Sequence, residues 1–448
     1  MRPPHRREVP RGHEDPHRAP AQSPLSSSPD TADAHEPRGR LFLPCGAGVE
    51  PLLADEVRAL LGGALNGPRV EAQRGGVAVI DARLRDVMAL NLHSRLATRV
   101  LVELAHGPYR DERDLYELAY DVAWDAWLTP AQTLRVDVSQ RGSSLQSLHF
   151  AGLRVKDAVC DALRESTGER PSVDTRDPDL PLFLHLEAEV ATLYADSSGE
   201  PLFKRGWRQD TGDAPLKETL AAAMLAAAGW RGTPEAGGAF NDPCCGSGTL
   251  AIEAAQIACG IAAGGQRRFA FERQLPYQDL RTVWQQLRQQ ARAAEHAPTV
   301  PVFASDVSFR MVDFARRNAE RAGVAHAIKL QGGDALERPA PVLPEDLPGT
   351  LMLNPPYGER IDVAGKAGRE TAQQQPADAG EDFFTQLAAH WKRQYTAHPA
   401  GWTGWLLSPD RELPSRMRLK PARKLPLWNG PIECRLFRFD LVAGSLKK

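Results

Sequence analysis

The sequence predicts an α/β protein in two parts, a smaller α+β region followed by a doubly wound parallel sheet. From about residue 206 onward, short apolar runs alternate with helical patterns, which is typical of parallel strands joined by crossover helices. The segment 241–249 (NDPCCGSGT) then places an acidic residue and two glycines directly after the first of these strands. Open α/β sheets bind their ligands at that position. We therefore expect a ligand site in the second part of the chain.

Composition excludes several classes of protein. The 448 residues suffice for two or three domains. A formal net charge of -2 requires any nucleic-acid surface to be a local patch. The six cysteines lack CxxC spacing, so we expect thiols in a reducing compartment and no metal site. No apolar run reaches the roughly 18 residues of a membrane span, and the polar N-terminus has no signal-peptide core. We expect a cytoplasmic protein.

Four regions are predicted along the chain. They are a disordered tail (1–38), a short βαβ-like block (39–99), a second α+β block (100–205) and the parallel-sheet domain (206–448). The tail contains almost no large apolar side chains that could offset the entropy of ordering it. An insertion at 362–380, rich in Gly, Ala and Gln, is expected to be a mobile loop.

The segment after the first strand of the parallel sheet has the composition of a cofactor loop. Gly246 and Gly248 allow the backbone to approach a ligand closely, and Thr249 begins the next helix. The spacing is neither GxGxxG nor a P-loop. S-adenosyl-L-methionine (SAM) carries an ammonium and a sulfonium group, and the carboxylate of Asp242 could accept from its amino-acid part. We predict a SAM loop; the alternative is a glycine-rich turn without a ligand.

Two more acidic residues follow the next two strands. Asp306 is expected to accept hydrogen bonds from ribose hydroxyls, the usual role of an acid at the end of the second strand. Asp334 would face the adenine amino group. The alternatives are a helix N-cap at Asp306 and an ordinary Gly-Gly-Asp turn at Asp334.

The segment Asn354-Pro355-Pro356-Tyr357 after the fourth strand predicts a clamp for a planar amine. The Asn354 side-chain oxygen and the Pro355 carbonyl can accept from the two N–H groups of an exocyclic amine, and Tyr357 offers a ring for stacking the base. The prolines fix φ and expose carbonyls without competing N–H groups. A rigid turn is the alternative.

Further on, residues 411–424 hold six basic residues against one acid, which indicates either phosphate contacts or a solvated loop.

With these residues in view, the chain resembles the THUMP-domain class I RNA methyltransferases, specifically the RlmL-type large-subunit rRNA guanine-N2 methyltransferases. The resemblance covers about residues 41–442. Besides the two motifs above, it rests on Gly48-Val-Glu50, GLRVKDA (152–158), KRGWR (204–208), APLKETLAA (214–222) and NGPIEC (429–434).

This resemblance implies a Rossmann-like class I SAM methyltransferase domain preceded by ferredoxin-like (39–99) and THUMP RNA-binding (100–205) domains. It implies a catalytic group, a cofactor group and an RNA-binding group of residues. The catalytic group is Asn354, Pro355, Pro356 and Tyr357. The cofactor group is Pro215, Lys217, Asp242, Cys245, Gly246, Gly248, Thr249, Asp306, Asp334 and Asn354. The RNA-binding group is Arg154, Lys156, Arg208, Arg418 and Lys420.

The expected partner is 23S rRNA, protein-free or in a partly assembled large subunit, bound by a monomer; neither DNA nor membrane is expected. Some family members carry a second, guanine-N7 methylating domain, and we expect that activity to be absent from a chain that ends at Lys448. The alternatives are a tRNA guanine-N2 methyltransferase, an adenine-N6 DNA methyltransferase, a methyltransferase for a protein glutamine amide, and an RNA-binding protein whose methyltransferase fold has decayed.

Overall fold

The computed structural model describes residues 38–62, 67–212, 215–355 and 378–442. Arg38, assigned to the tail by the sequence, begins the first strand. The rest of the predicted tail lies outside the described residues, as does the predicted loop up to residue 377. Residues 378–380 begin a helix, so the loop prediction is wrong for them.

One continuous sheet of eight strands forms the N-terminal half of the described chain. Its elements are β1 (Arg38–Pro44), α1 (Glu50–Leu61), β2 (Arg69–Gln73), β3 (Gly76–Arg83), α2 (Leu84–His93), β4 (Leu101–Pro108), α3 (Glu112–Tyr120), β5 (Thr133–Arg141), α4 (Leu148–Thr167), β6 (Ser172–Val173), β7 (Leu180–Glu187) and β8 (Val190–Asp196). The strand order is β2-β3-β1-β4-β8-β7-β5-β6. β1 pairs antiparallel with β3, so the βαβ-like prediction for this block is wrong.

The eight-stranded sheet crosses the predicted boundary at residue 99. β4 pairs with β1 on one side and with β8 on the other. The two α+β blocks therefore share one hydrogen-bonded sheet, and their apolar side chains belong to one buried cluster. The predicted boundary at residue 99 therefore does not separate two independent sheets.

A second sheet of seven strands forms the C-terminal half. Its elements are α5 (Glu218–Ala227), β9 (Ala239–Asp242), α6 (Thr249–Ala258), α7 (Arg281–Ala293), β10 (Val302–Asp306), α8 (Phe309–Arg321), β11 (Ile328–Gly332), β12 (Gly349–Leu353), α9 (Asp378–Gln394), β13 (Trp402–Ser408), α10 (Leu413–Met417), β14 (Arg423–Asn429) and β15 (Ile432–Leu441). Short 3-10 helices lie at Trp124–Ala126, Ala270–Arg273, Leu275–Leu280 and Ala325–Ala327.

The strand order β11-β10-β9-β12-β13-β15-β14 confirms the predicted doubly wound sheet. Strands β9 to β13 pair in parallel, and β15 is antiparallel to both of its neighbours. All residues of the central strands β9 and β12 are buried, as expected of parallel strands covered on both faces. Among the described residues, no helix combines the length and the apolar character needed to cross a bilayer.

A buried ion cluster joins the two halves of the chain. Glu253 in α6 is fully buried, and its two carboxylate oxygens accept from Arg205 Nε and Arg95 Nη1, each at 3.0 Å. Burial by itself would raise the pKa of Glu253, but the two guanidinium groups outweigh it and hold the pKa below its ordinary value. Glu56 in α1 accepts from the backbone N–H groups of Arg95 and Leu96 and so fixes the segment that carries Arg95.

We expect Glu253→Gln to lower the free energy of unfolding by about 3 to 5 kcal/mol, because it leaves two buried guanidinium groups without a countercharge. Urea unfolding followed by circular dichroism measures the change. The matched control is Glu117→Gln, which removes the exposed Arg113–Glu117 pair on α3 and should change stability by at most about 0.5 kcal/mol. Equal losses in the two variants would contradict the role given to the buried cluster.

Candidate active site

The candidate site lies where the parallel strands end. β9 pairs with β10 and β12, and β10 pairs with β11, so the carboxyl ends of these four strands stand side by side. Asp242, Asp306 and Asn354 come at or just after three of these ends, and Asp334 follows the fourth. The sheet therefore brings the sequence-predicted carboxylates and the clamp asparagine to one edge.

Backbone hydrogen bonds hold the glycine loop against the neighbouring strand. Cys245 N donates to Ser305 O at 2.9 Å, and Gly246 N donates to Asp306 Oδ2 at 2.9 Å. Gly246 has a φ of 53°, and a Cβ placed there would meet no heavy atom within 4 Å. The open space above Gly246 lets a ligand approach the backbone, as the glycine-loop prediction requires.

Gly248 is a glycine for a different reason. It has a φ of 93° at the start of α6, and a Cβ there would lie 3.0 Å from Cβ of Ala315 in α8. This glycine permits the close packing of α6 against α8. The packing contact holds the start of α6, and with it the end of the cofactor loop, against α8.

The carboxylates of the site are partly or fully buried. Asp242 is 1% exposed, and burial, with a further contribution from nearby Asp306, raises its pKa well above the ordinary value. Burial also raises the pKa of Asp306, whose oxygens accept from Gly246 N and Ser308 N. The N-cap of α8 is Ser308, so the alternative N-cap role for Asp306 is wrong.

Cys244 lies between the three carboxylates. Burial raises the pKa of its thiol well above the ordinary value, and Asp242, Asp306 and Asp334 raise it further. Asp334 itself accepts from Leu336 N at 2.9 Å. Within the described ranges none of these three carboxyl groups forms an ion pair with a basic side chain, so a cationic ligand bound there would favour their ionised forms.

Asn354 carries an unsatisfied buried acceptor. Its side-chain oxygen is buried and has no hydrogen-bond partner among the described residues, although buried amide oxygens are almost always bonded. Pro355 is buried next to it. Pro356 and Tyr357 lie outside the described residues, and their proposed contacts with the base stay predictions.

The remaining predicted cofactor residues flank the loop. Pro215 and Lys217 are exposed, and Lys217 Nζ lies 5.1 Å from the ring centre of Phe203. Thr249 is buried at the start of α6. Cys245 is buried beneath the loop, where burial raises the pKa of its thiol well above the ordinary value.

The predicted RNA-binding residues fall into separate groups. Arg154 on α4 stacks on Tyr116, and its neighbour Lys156 pairs with Asp157 at 2.5 Å. Arg418 and Lys420 lie in the connection between α10 and β14 and are exposed.

Arg208 occupies a different kind of position. Its guanidinium points inward and donates to the hydroxyl groups of Ser247 and Thr249 at the cofactor loop. With its side chain only 15% exposed, little of it is available to a phosphate, so the structure gives its predicted RNA contact no support.

Sequence reasoning missed the polar residues that support the loop. Ser247, Asn318 and Glu253 gave no signal because each is an ordinary polar residue in its own segment. The KRGWR segment (204–208) was the available clue, since two arginines at i and i+3 around a tryptophan suggest partly buried cations.

The described chain matches three protein-family models in order. They are the RlmL ferredoxin-like domain at residues 40–101, the THUMP domain at residues 109–196, and the RMKL-like methyltransferase domain at residues 205–438. These matches confirm the predicted ferredoxin-like and THUMP region, followed by the Rossmann-like methyltransferase fold.

Individual relatives give the same picture. The chain is 36% identical over 416 residues to the ribosomal RNA large subunit methyltransferase K/L of Pseudomonas paraeruginosa. This alignment covers 92% of the present chain and 53% of the relative. The chain spans about half the length of the curated relatives it matches.

Among solved structures, SMU.472, assigned as a methyltransferase and crystallised with S-adenosylhomocysteine (SAH), gives a TM-score of 0.76 at 26% identity. It covers 90% of this chain and 97% of that one. A protein of Listeria monocytogenes, assigned as an N6-adenine-specific DNA methylase, gives a TM-score of 0.75 at 25% identity. The match covers 90% of this chain and 96% of that protein.

Gly248→Ala should destabilise the protein more than Gly246→Ala. Both place an alanine at positive φ, which costs about 1 to 2 kcal/mol, but only the Cβ at residue 248 also meets a packed neighbour. Urea unfolding of the two variants measures the difference. If Gly246→Ala lowers the free energy of unfolding as much as Gly248→Ala does, close packing at residue 248 is not important.

Proposed function

The chain belongs to the RMKL-like methyltransferase domain family, and we propose that it uses SAM to methylate the exocyclic N2 amine of a guanine in 23S rRNA. The observation that carries the proposal is the buried, unpaired side-chain oxygen of Asn354 at the edge that also holds the three carboxylates. The names of the relatives support large-subunit rRNA as the substrate class.

The residues at the strand ends fit SAM. The cofactor has a cationic amino group and a sulfonium. Asp242 is buried and has no ion-pair partner among the described residues, and such a cation would favour its ionised form. The open space over Gly246 leaves room against the backbone. Asp306 keeps lone pairs free on both oxygens, since each accepts one backbone N–H and a carboxylate oxygen can accept more than one bond. The SAH-bound relative supports the same cofactor class.

Asn354 would act on the substrate amine. The lone pair of a guanine N2 amine is delocalised into the ring, which makes the nitrogen a weak nucleophile. Accepting from its N–H groups with the Asn354 oxygen and the Pro355 carbonyl would localise that lone pair and orient it. The nitrogen becomes acidic once methylated, so the site needs no strong general base. When bound, SAM supplies the electrophilic methyl group.

RNA recognition would use both halves of the chain. The THUMP region carries Arg154 and Lys156, and the exposed Arg418 and Lys420 lie between α10 and β14 in the methyltransferase domain. A base paired or stacked in RNA must be extruded before it reaches Asn354, at a cost of a few kcal/mol. We therefore propose protein-free or partly assembled 23S rRNA as the substrate, bound by a monomer in the cytoplasm.

The affinity for SAM should depend on pH through Asp242. Because a cation favours the carboxylate, SAM binding lowers the raised pKa of Asp242 and releases a proton. The affinity should be full above that raised pKa and weaken as the pH falls through it. Calorimetry of Asp242→Asn should show affinity weaker by about 1.5 to 3 kcal/mol and a smaller pH dependence. The exposed Asp346→Asn is the control and should behave as wild type.

Asn354→Ala should keep the SAM affinity within about twofold of the wild-type value. It should slow single-turnover methylation by a factor of about 100 to 1,000, the usual loss for one oriented polar group at a reacting centre. Rapid-quench assays with radiolabelled SAM measure the rate, and calorimetry measures the affinity. A rate within a few-fold of wild type would remove Asn354 from the reaction.

The product of the wild-type protein should be N2-methylguanine and nothing else. Nucleoside mass spectrometry of protein-free 23S rRNA, assembled large subunits, tRNA and DNA, each incubated with protein and SAM, identifies the product and the substrate. N6-methyladenine or N7-methylguanine as the main product would contradict the proposal, as would a preference for tRNA. Failure to bind SAM would favour a non-catalytic RNA-binding protein.

A further inference from the structure

A strap of eight residues, 205–212, connects the eight-stranded unit to the C-terminal sheet and runs along the cofactor loop. Asn318 on α8 holds the strap to the loop, because its Nδ2 donates both to Asp210 O at 2.9 Å and to Ser247 O at 3.0 Å. The carboxylate of Asp210 in turn accepts from Arg321 at 2.6 Å. The strap is therefore bonded to the same loop that the proposed cofactor would contact.

Arg208 in the strap reaches both segments predicted to hold the cofactor. On the glycine-loop side, its Nη1 donates to Ser247 Oγ at 3.1 Å and its Nη2 donates to Thr249 Oγ1 at 2.7 Å. On the other side, its Nη2 donates to Leu216 O at 3.2 Å and its Nε donates to Glu218 Oε1 at 2.7 Å. One planar cation thus spans the gap between the 246–249 loop and the 215–218 segment.

We infer that Arg208 is a positioning residue of the cofactor site, which fixes the glycine loop relative to the 215–218 segment and so controls affinity for SAM rather than for RNA. The inference rests on the proposed use of SAM. It gives the residue a role that differs from the RNA contact implied by the family resemblance.

The chemistry of the side chain supports this role. A guanidinium presents five N–H donors in a rigid fork and can satisfy acceptors on two sides at once, whereas a lysine ammonium is a point donor on a flexible stem. Glu218 is buried, and Arg208 supplies its countercharge. Replacing the fork would free both the loop hydroxyl groups and the Leu216 carbonyl.

The test compares four variants for SAM affinity by calorimetry and for 23S rRNA affinity by filter binding at fixed salt. Arg208→Lys keeps the charge and removes the fork. Arg231→Lys is the matched control, because it makes the same change at an exposed arginine. Arg418→Ala removes a proposed RNA contact. Ser247→Ala removes one acceptor of Arg208 and leaves its ion pair with Glu218 in place.

Arg208→Lys should weaken SAM binding at least tenfold and change RNA affinity less than twofold. Arg418→Ala should weaken RNA binding and leave SAM affinity unchanged. Arg231→Lys should change neither affinity. Ser247→Ala should weaken SAM binding to a smaller extent. In a double variant that combines it with Arg208→Lys, the two effects should be non-additive, since the two residues act through one hydrogen bond. If Arg208→Lys does not fold, as judged by circular dichroism, Ser247→Ala decides by itself.

Unchanged SAM affinity in Arg208→Lys would overturn the inference, and a tenfold loss of RNA affinity with intact SAM binding would return Arg208 to the RNA surface. If Ser247→Ala is the deciding variant, wild-type SAM affinity overturns it equally. A wild-type protein that does not bind SAM refutes the proposed function first, so the two failures are distinguishable.

Discussion

The buried carboxylate of Glu253 is the interaction on which the arrangement of the two halves depends. A carboxylate removed from water is stable only with countercharges close by, and here these are Arg95 from the N-terminal unit and Arg205 from the strap. Glu253 lies one turn into α6, the helix that begins at the cofactor loop. The N-terminal unit therefore reaches the first turn of that helix through a charge pair that cannot be loosened without exposing buried ions.

The site itself has the opposite electrostatic character. The carboxyl groups of Asp242, Asp306 and Asp334 all lie near Cys244, and none of them forms an ion pair with a basic side chain of the described residues. Burial raises the pKa of the first two. Such a group of acids is unfavourable until a positive ligand arrives. Ionised carboxyl groups at this edge would favour a cationic cofactor over a phosphate-bearing one.

Arginine accordingly serves two purposes in this chain. Arg95, Arg205 and Arg208 lie inside and neutralise buried acids, whereas Arg418 is exposed. The near-neutral net charge conceals this division, because it counts the arginines paired with buried acids together with the exposed ones. A count of basic residues therefore says little about where RNA would bind, and the position of each guanidinium says much more.

Several parts of the protein were predictable from the sequence because they depend on local order along the chain. The alternation of strands and helices predicted the doubly wound sheet, and a carboxylate or amide after each of four strands predicted the composition of its edge. Parallel strands must end at the same edge, so residues far apart in sequence, such as Asp242 and Asn354, could be placed together without coordinates.

The errors have physical causes of their own. β1 and β3 were expected in a βαβ-like block because a strand, a helix and a strand follow one another; β2, which lacks an apolar run, was not recognised between them. The basic stretch at 411–424 indicated either phosphate contacts or a solvated loop. It contains α10 and the start of β14, which the sequence did not reveal because charged residues on an exposed edge strand do not alternate with apolar ones.

The sequence alone determined which chemical groups stand at the strand ends, since that follows from chain order and from the geometry of parallel sheets. Only the tertiary structure decided which cations are buried and which remain free. Arg208 and Arg418 look alike in the sequence, and their different environments result from contacts with residues distant along the chain. The guanidinium of Arg208 is hydrogen-bonded to Ser247 and Glu218. Within the described residues the side chain of Arg418 forms no hydrogen bond or ion pair. Burial depends on the packing of whole elements, which local sequence does not encode.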